Sequence, residues 1–401
     1  MIPSLRKPFN ARFTPDKYQT FLRRIDDACG THVSFRLAET PCFFPKGLLE
    51  RMAEDGKELI RQLVDSPEYL ARSNASIPAD FRVANEPAHP MFVQVDFGLV
   101  RDASGELEPK LVELQAFPSL YAYQVTLAQS YIDVYGLKGI GGGERLQFFL
   151  SGLDENSYRE LLRRAIVGGH DPENVILMEI RPQEQKTLPD FLLTEKMLGV
   201  RAVDIEAIKK DGSRLYYERN GRQVPIRRIY NRAIVDELLR KRVKLRFDWR
   251  DDLDVEWAGH PNWYFRISKF SIPYLRHESV PKTWFLDRLE RIPDDLENYA
   301  LKPLYSFAGL GVVIAPKKED IAAIPAEKRA EYILQERLHF EPVIETPFGG
   351  TKAEVRVMYV WEEELKAVLT IIRMGRGLMM GVDHNRNIEW VGASAGLWVG
   401  E

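Results

Sequence analysis

The sequence predicts an α/β to α+β fold divided into at least two domains. Three observations lead there. Apolar residues in the first 75 positions recur at helical spacing. Between Asn174 and Ile208 a strand, a helix and a second strand follow one another within about 35 residues, the pattern of a parallel sheet with a crossover helix. From Tyr299 onward, short apolar runs separated by turn residues describe a mixed, partly antiparallel sheet.

The elements follow in order. Asp16–Asp27 and Pro45–Val64 read as helices, the second from the spacing of Leu48, Leu49, Met52, Leu59, Ile60 and Leu63. Phe92–Val100 and Lys110–Leu114 read as strands joined by a turn containing Asp102, Ser104 and Gly105. Leu161–Val167 is helical, Asn174–Ile180 a buried strand, Leu188–Leu198 a helix stopped by Gly199, and Ala202–Ile208 a strand. Arg214–Glu218 and Ile226–Tyr230 are shorter strands on either side of the Asn220-Gly221 turn. The charge-dense stretch Lys241–Pro261 marks a boundary. Beyond it, Tyr299–Leu304, Val312–Ala315, Tyr332–Arg337, Glu354–Trp361 and Leu365–Arg373 read as strands.

A length of 401 residues corresponds to two or three domains. Lys and Arg number 56 against 59 Asp and Glu, so the basic excess of a nucleic-acid binder is missing. Two cysteines, Cys29 and Cys42, can build neither a disulfide framework nor a four-thiolate metal site, and read as core thiols. The opening stretch MIPSLRKPFNARFTPDKY lacks an apolar signal core and no run reaches the length of a membrane span. A soluble, cytoplasmic protein with no nucleic-acid or membrane partner is expected.

Four places could carry chemistry. Asp96 interrupts an apolar strand, and Glu113 and Gln115, two apart on the next strand, share a face. Such oxygens suit a hard cation such as Mg²⁺, although alternating polar residues also describe a plain solvated strand. Lys302 ends one strand and is followed by a loop with Gly309 and Gly311, where backbone amides and an ammonium can approach phosphate; an ordinary glycine hairpin has the same pattern. The strand Tyr332–Leu338 turns polar at Gln335 and Glu336, and its backbone could read an adenine edge or could simply leave the core. Finally, Arg356 beside Glu354, and Arg373 with Arg376, put guanidinium groups on interior strands, where they need an anionic ligand or a carboxylate partner.

The order of these parts resembles the ATP-grasp fold: a lysine strand, a glycine loop, an apolar strand with Gln-Glu, then strands with Glu and Arg. That fold normally carries its metal-binding Asp and Glu-x-Asn last, whereas here Asp96 and Glu113-Leu114-Gln115 come early. The chain therefore resembles a circularly permuted ATP-grasp protein, in particular the eukaryotic-type glutathione synthetases and the glutathionylspermidine synthetase-like group. The resemblance runs from about Met91 to Trp398 and implies an inserted Rossmann-like (preATP-grasp) domain over Asn174–Leu239. It implies a division into 1–125 (helices plus metal-binding strands), 126–245 (Rossmann-like substrate domain) and 246–401 (ATP-binding part).

The resemblance also implies roles. Lys269 and Lys302 would hold phosphates, Ser306, Gly309 and Gly311 would cover them, and Gln335, Glu336 and Leu338 would line adenine. Asp96, Glu113 and Gln115 would hold Mg²⁺, and Arg356, Arg373 and Arg376 would clamp a substrate carboxylate or oxyanion. Phe117–Tyr123, Arg181 and Tyr230–Arg232 would line the substrate pocket. Two residues depart from the family: Gln115 replaces Asn, and Ser306 stands where an acidic residue follows the second lysine. The activity implied is an ATP- and Mg²⁺-dependent carboxylate–amine or carboxylate–thiol ligase on a small or peptidic substrate, working through an acyl phosphate. A silent nucleotide-binding module and a phosphotransferase are the alternatives. A homodimer fits the group, and Gly139–Gly143, outside the matched order, reads as a flexible connection.

Overall fold

The computed structural model describes residues 1–139, 145–305, 309–381, 385 and 387–400. Helices α1 (Pro3–Arg12), α2 (Pro15–Cys29), α3 (Lys46–Val64), α4 (Pro67–Ser73), α5 (Tyr123–Val134), α6 (Glu155–Ile166) and α7 (Leu188–Leu198) occupy the first half of the chain. Interleaved with them are strands β1 (Cys42–Phe43), β2 (Phe92–Arg101), β3 (Leu107–Gln115), β4 (Leu146–Gln147), β5 (Val175–Glu179) and β6 (Arg201–Asp204). Then come β7 (Lys209–Asp211), β8 (Arg214–Arg219), β9 (Arg222–Ile226), β10 (Arg228–Asn231), β11 (Glu256–Ala258) and β12 (Thr283–Phe285). The remaining strands are β13 (Tyr299–Pro303), β14 (Val313–Ile314), β15 (Tyr332–Glu336), β16 (Ile344–Thr346), β17 (Gly349–Trp361), β18 (Leu365–Gly375) and β19 (Gly392–Val399).

The main sheet runs β1-β19-β18-β17-β2-β3, with β16 on β17 and β4 on β19. Strands far apart in sequence thus share one ladder: β2 pairs antiparallel with β17, and β1 parallel with β19. Alternation sorts its two faces. Val93, Val95, Phe97, Val355 and Val357 turn toward α3, joining Leu49, Met52, Leu59, Ile60 and Leu63 in one apolar cluster; full burial of each is worth ~1.5–3 kcal/mol. Gly56 of α3 makes this packing close, because a Cβ there would lie 2.0 Å from the Tyr359 hydroxyl oxygen. On the opposite face, α5 covers the β18–β19 side with Leu127, Ala128 and Tyr131, against Ile371, Ala393 and Ala395.

A second sheet, β11-β10-β5-β6, is parallel throughout. One face, with Val175, Leu177 and Tyr230, shares a core with α6 and α7; the other, with Ile176, Met178 and Ile229, meets Leu215, Tyr217 and Ile226 of the three-stranded sheet β7-β8-β9. A small antiparallel sheet, β12-β15-β13-β14, lies over the main one. Its Leu301 and Leu334 pack outward, while Phe285 and Ile333 join the cluster of the main sheet.

Two expectations change. Ala202–Ile208 is not one strand: β6 ends at Asp204, whose carboxylate accepts from the Glu206 N–H and starts a 3-10 turn over Ile205–Ala207. The Asn220-Gly221 turn, with φ of 50° and 74°, joins β8 to β9, not to Ile226–Tyr230. The polar Arg222 and Gln223 and the proline at 225 hide β9 in the sequence, and Arg228–Asn231 belongs to the parallel sheet instead. The Gly139–Gly143 connection lies mostly outside the described residues.

Candidate functional site

Side chains two apart on a strand share a face, and the ladder aligns four such sets across the main sheet. Arg373 stands opposite Glu354, Arg356 opposite Asp96, Asp96 opposite Glu113, and Gln94 opposite Gln115. The result is a polar stripe across β18, β17, β2 and β3. Arg356 donates from Nε and Nη2 to the two Asp96 oxygens, at 2.5 and 2.6 Å, and from Nη1 to Gln94 Oε1 at 3.0 Å. Gln94 Oε1 also accepts from Gln115 Nε2 at 2.8 Å. Arg373 donates to Asp96 Oδ2 at 3.1 Å and to Glu354.

Charge follows from this geometry. Asp96 is buried, which alone would raise its pKa, but Arg356 and Arg373 outweigh burial and hold the carboxyl below its usual range. Glu354 goes the other way. Burial, helped by repulsion from Asp96 and Glu113, lifts its carboxyl despite the pull of Arg373.

The small sheet brings a lysine onto this stripe through a defect in the ladder. Pairing of β2 with β3 shifts between Asp96 and Phe97, whose partners are Glu113 and Leu111, so Val112 is left as the extra residue of a bulge. Its carbonyl accepts from Lys302 Nζ at 3.2 Å. The same ammonium donates to Gln335 Oε1 on β15, while Gln335 Nε2 is buried without a hydrogen-bond partner. Burial, reinforced by Lys269 and opposed by Glu113, lowers the Lys302 pKa to about 8. Lys269, in the 3-10 turn Lys269–Tyr274, sits 3.5 Å from Glu113 Oε2.

The candidates from the sequence divide accordingly. Asp96, Glu113, Gln115, Lys269, Lys302, Gln335, Arg356 and Arg373 come together. Glu336 faces away, binding the Lys282 backbone N–H through its carboxylate. Leu338 lies on the crossing to the main sheet, where Glu341 N–H reaches the Leu99 carbonyl and Phe340 fills the space beside Gly98. Gly309 and Gly311 have φ of 74° and 73°, and a Cβ on Gly309 would lie 2.6 Å from Met379 Cε. Arg376 binds Thr346 Oγ1 and the Glu389 carbonyl, apart from the stripe. Ser306 lies outside the described residues. Gln94 escaped notice in the sequence, although it stands two residues before Asp96 and the same-face rule would have found it.

A second cluster continues from the end of β3. Past Gln115, the chain brings Phe117 under the Arg232 guanidinium, 4.9 Å from the ring centroid, with Phe191 at 5.5 Å. Arg232 follows the end of β10 and is 3% exposed, yet its Nε and Nη1 have no hydrogen-bond partner. Nearby Asp190 accepts from the N–H groups of Leu120, Ala122 and Tyr123. At the end of β5, burial, only partly offset by Arg232, raises Glu179 to about 8. Carboxyl ends of parallel strands are where open α/β sheets bind ligands.

The donor set can be tested against the expected groups. Lys269, Lys302, Arg356 and Arg373 face Asp96, Glu113 and Glu354, and this excess of cations, with the unpaired Gln335 amide, suits a polyphosphate. Among the described residues no three His, Cys, Asp or Glu side chains converge on a metal position. Asp96 has both oxygens committed to guanidinium groups; Glu113, with its side chain 25% exposed, is the open carboxylate. One carboxylate beside an amide oxygen fits a Mg²⁺ that arrives on phosphates.

No family model matches the chain, and no curated protein matches its sequence. Among solved structures it is similar to a glutathione synthetase-like effector from Globodera pallida in its apo form, with a TM-score of 0.58 over 96% of this chain and 99% of that one, at 11% identity. At that identity the likeness concerns the fold alone, which is glutathione synthetase-like. No helix among the described residues is long and apolar enough to cross a membrane.

Proposed function

We propose that the chain is a circularly permuted ATP-grasp ligase that joins a carboxylate to an amine or thiol. The observation that carries this reading is Lys302, a buried ammonium held between Val112 and Gln335 directly above the polar stripe. The pairing of β2 with β17, and of β3 with β2, in one sheet of the fold just described supports the permutation.

In this reading Lys269 and Lys302 bind the phosphates of ATP, and Gln335 orients the nucleotide through its unpaired amide. Glu113 and Gln115 would hold Mg²⁺, which would supply positive charge to neutralise the phosphates. The substrate carboxylate takes the γ-phosphoryl group and becomes an acyl phosphate; the amine or thiol then displaces phosphate. Arg373 and Arg356 stabilise the negative charge that develops on the acyl oxygen. Arg232, with two unsatisfied donors, binds a carboxylate of the substrate.

The test is calorimetry with Mg·ATP, followed by ADP release screened over pooled amino acids and polyamines, with mass spectrometry of the product. Binding lost in Lys302→Met and Mg²⁺ dependence lost in Glu113→Gln are expected. Absence of Mg·ATP binding would sink the reading. A second reading, a nucleotide-binding module without turnover, is favoured by one observation: both Asp96 oxygens are taken by Arg356. Binding without ADP release over the whole screen would support it.

A further inference from the structure

Away from the polar stripe, a cleft of about 890 Å³ opens between the α3–α4 corner, the 3-10 turn Lys269–Tyr274 and strand β12. That size lies within the ~300–1,000 Å³ of ordinary small-molecule sites. None of the residues assigned to phosphate, metal or acyl chemistry lines it.

Its walls combine aromatic rings with cations. Tyr69, Tyr274 and Phe285 supply the rings, and Tyr274 meets Tyr69 and Phe285 edge to face, with centroids 5.3 and 5.6 Å apart. Arg72, Arg276, Lys282 and Arg288 supply four positive charges; Glu68 pairs with Arg72 at 2.8 Å and Glu336 with Lys282 at 3.7 Å, which leaves a cationic excess. Two of the guanidinium groups lie over ring faces, Arg72 at 6.0 Å from Tyr274 and Arg288 at 4.7 Å from Phe285. A guanidinium held over a ring keeps its N–H groups in a plane; Arg72 spends one of them on Glu68 Oε1 at 2.8 Å and has others left for an anion. Tyr274 is half-buried and with Tyr69 and Phe285 forms the apolar floor of the cleft, whereas the Trp284 ring lies on the other face of β12 against Tyr299.

We infer that this cleft is a second ligand site, which takes a planar aromatic anion the size of a mononucleotide. The aromatic part packs against Tyr274, and the anionic part is held by Arg72 and Arg288. The site is independent of the proposed ligase chemistry. It adjoins that chemistry in two places: the 3-10 turn that carries Lys269 at its start and Tyr274 at its end, and the strand pair where the Lys282 carbonyl accepts from the Glu336 N–H beside Gln335.

The test uses the full chain and AMP as probe, with adenosine as the uncharged control. Calorimetry compares the wild type, Lys302→Met, and the double variant Arg72→Ala/Arg288→Ala. The inference expects AMP to bind wild type and Lys302→Met alike, and the double variant to lose at least tenfold in affinity with an unchanged unfolding temperature. Adenosine should bind at least tenfold more weakly than AMP. Because both arginines are exposed, the variant should fold; Arg288→Glu alone is the second check and should also abolish binding. AMP affinity unaltered by these substitutions, or equal affinity for adenosine, would overturn the inference. Loss of AMP binding in Lys302→Met with none in the double variant would instead assign AMP to the main site and overturn it equally.

Discussion

Lys302 on the small sheet donates to the carbonyl of Val112, the residue that a bulge leaves without a ladder partner on the main sheet. One hydrogen bond thereby links the layer expected to hold the nucleotide to the layer that carries the charged stripe. A ligand that draws the ammonium toward phosphate must break it.

The pKa of Lys302, lowered to about 8 from an ordinary 10.5, has a direct consequence for binding. Phosphate favours the charged lysine, so Mg·ATP affinity should fall by up to about tenfold per pH unit above 8. Calorimetry in buffers of different ionisation enthalpy should register proton uptake on binding near pH 9. Stability moves the opposite way. Between about 8 and 10.5 the unfolded chain carries more protons at this site than the folded one, so stability rises with pH across that window. Lys302→Met should remove both effects and be neutral or stabilising at pH 7, by up to about 3 kcal/mol.

Arg356 and Asp96 form a buried pair with two parallel hydrogen bonds. Arg356→Met leaves Asp96 and Glu354 sharing a single guanidinium, and should cost about 3–5 kcal/mol in urea unfolding. Adding Asp96→Leu should recover most of that loss. If the single variant is as stable as wild type, the pair is not buried in solution.

Gly56→Ala should destabilise by about 1–3 kcal/mol, since its methyl group would overlap the Tyr359 hydroxyl. Tyr359→Phe alone gives up hydrogen bonds to the Met52 and Ala53 carbonyls, worth about 1 kcal/mol. In the double variant part of the Gly56→Ala cost should vanish, a non-additivity that thermal unfolding can read.

Glu179, raised to about 8 mainly by burial, gives a stability trend of its own. From its ordinary 4.5 up to about 8 the unfolded state has lost the proton that the folded state keeps. The contribution is complete below that window and is lost as pH rises through it. Glu179→Gln should flatten the curve between pH 5 and 8, and a difference profile with the opposite slope would refute the assignment.

Much of this was readable from spacing alone. Glu113 and Gln115, and Glu354 and Arg356, announce a shared face because the strand period is two residues. Lys302 followed by glycines announces a turn at a charged strand end. What the spacing does not reveal is which strands are neighbours. That Arg356 lands opposite Asp96 depends on β17 pairing with β2, a contact across 260 positions, and so the sequence does not show that Arg356 and Arg373 carry carboxylate partners as well as facing the proposed ligand. The bulge at Val112 was equally hidden, since VEL reads as unbroken alternation. α5 has no polar stripe to mark its period, because it is buried nearly all round. The resemblance offered Arg232 as a pocket residue among several; its burial against two phenylalanine rings is what spacing does not reveal.

The main sheet joins Thr40 to Ser394, residues 354 positions apart, by a hydrogen bond beside the β1–β19 pairing. On the ribosome this has a cost in time. The early strands β2 and β3 emerge while their partner β17 is still unmade, so the open edge of β2 waits through most of synthesis with its backbone groups exposed. Any factor that shelters nascent β-edges should therefore affect the yield of this protein more than its final stability, and slowing translation after β3 should lower the yield further.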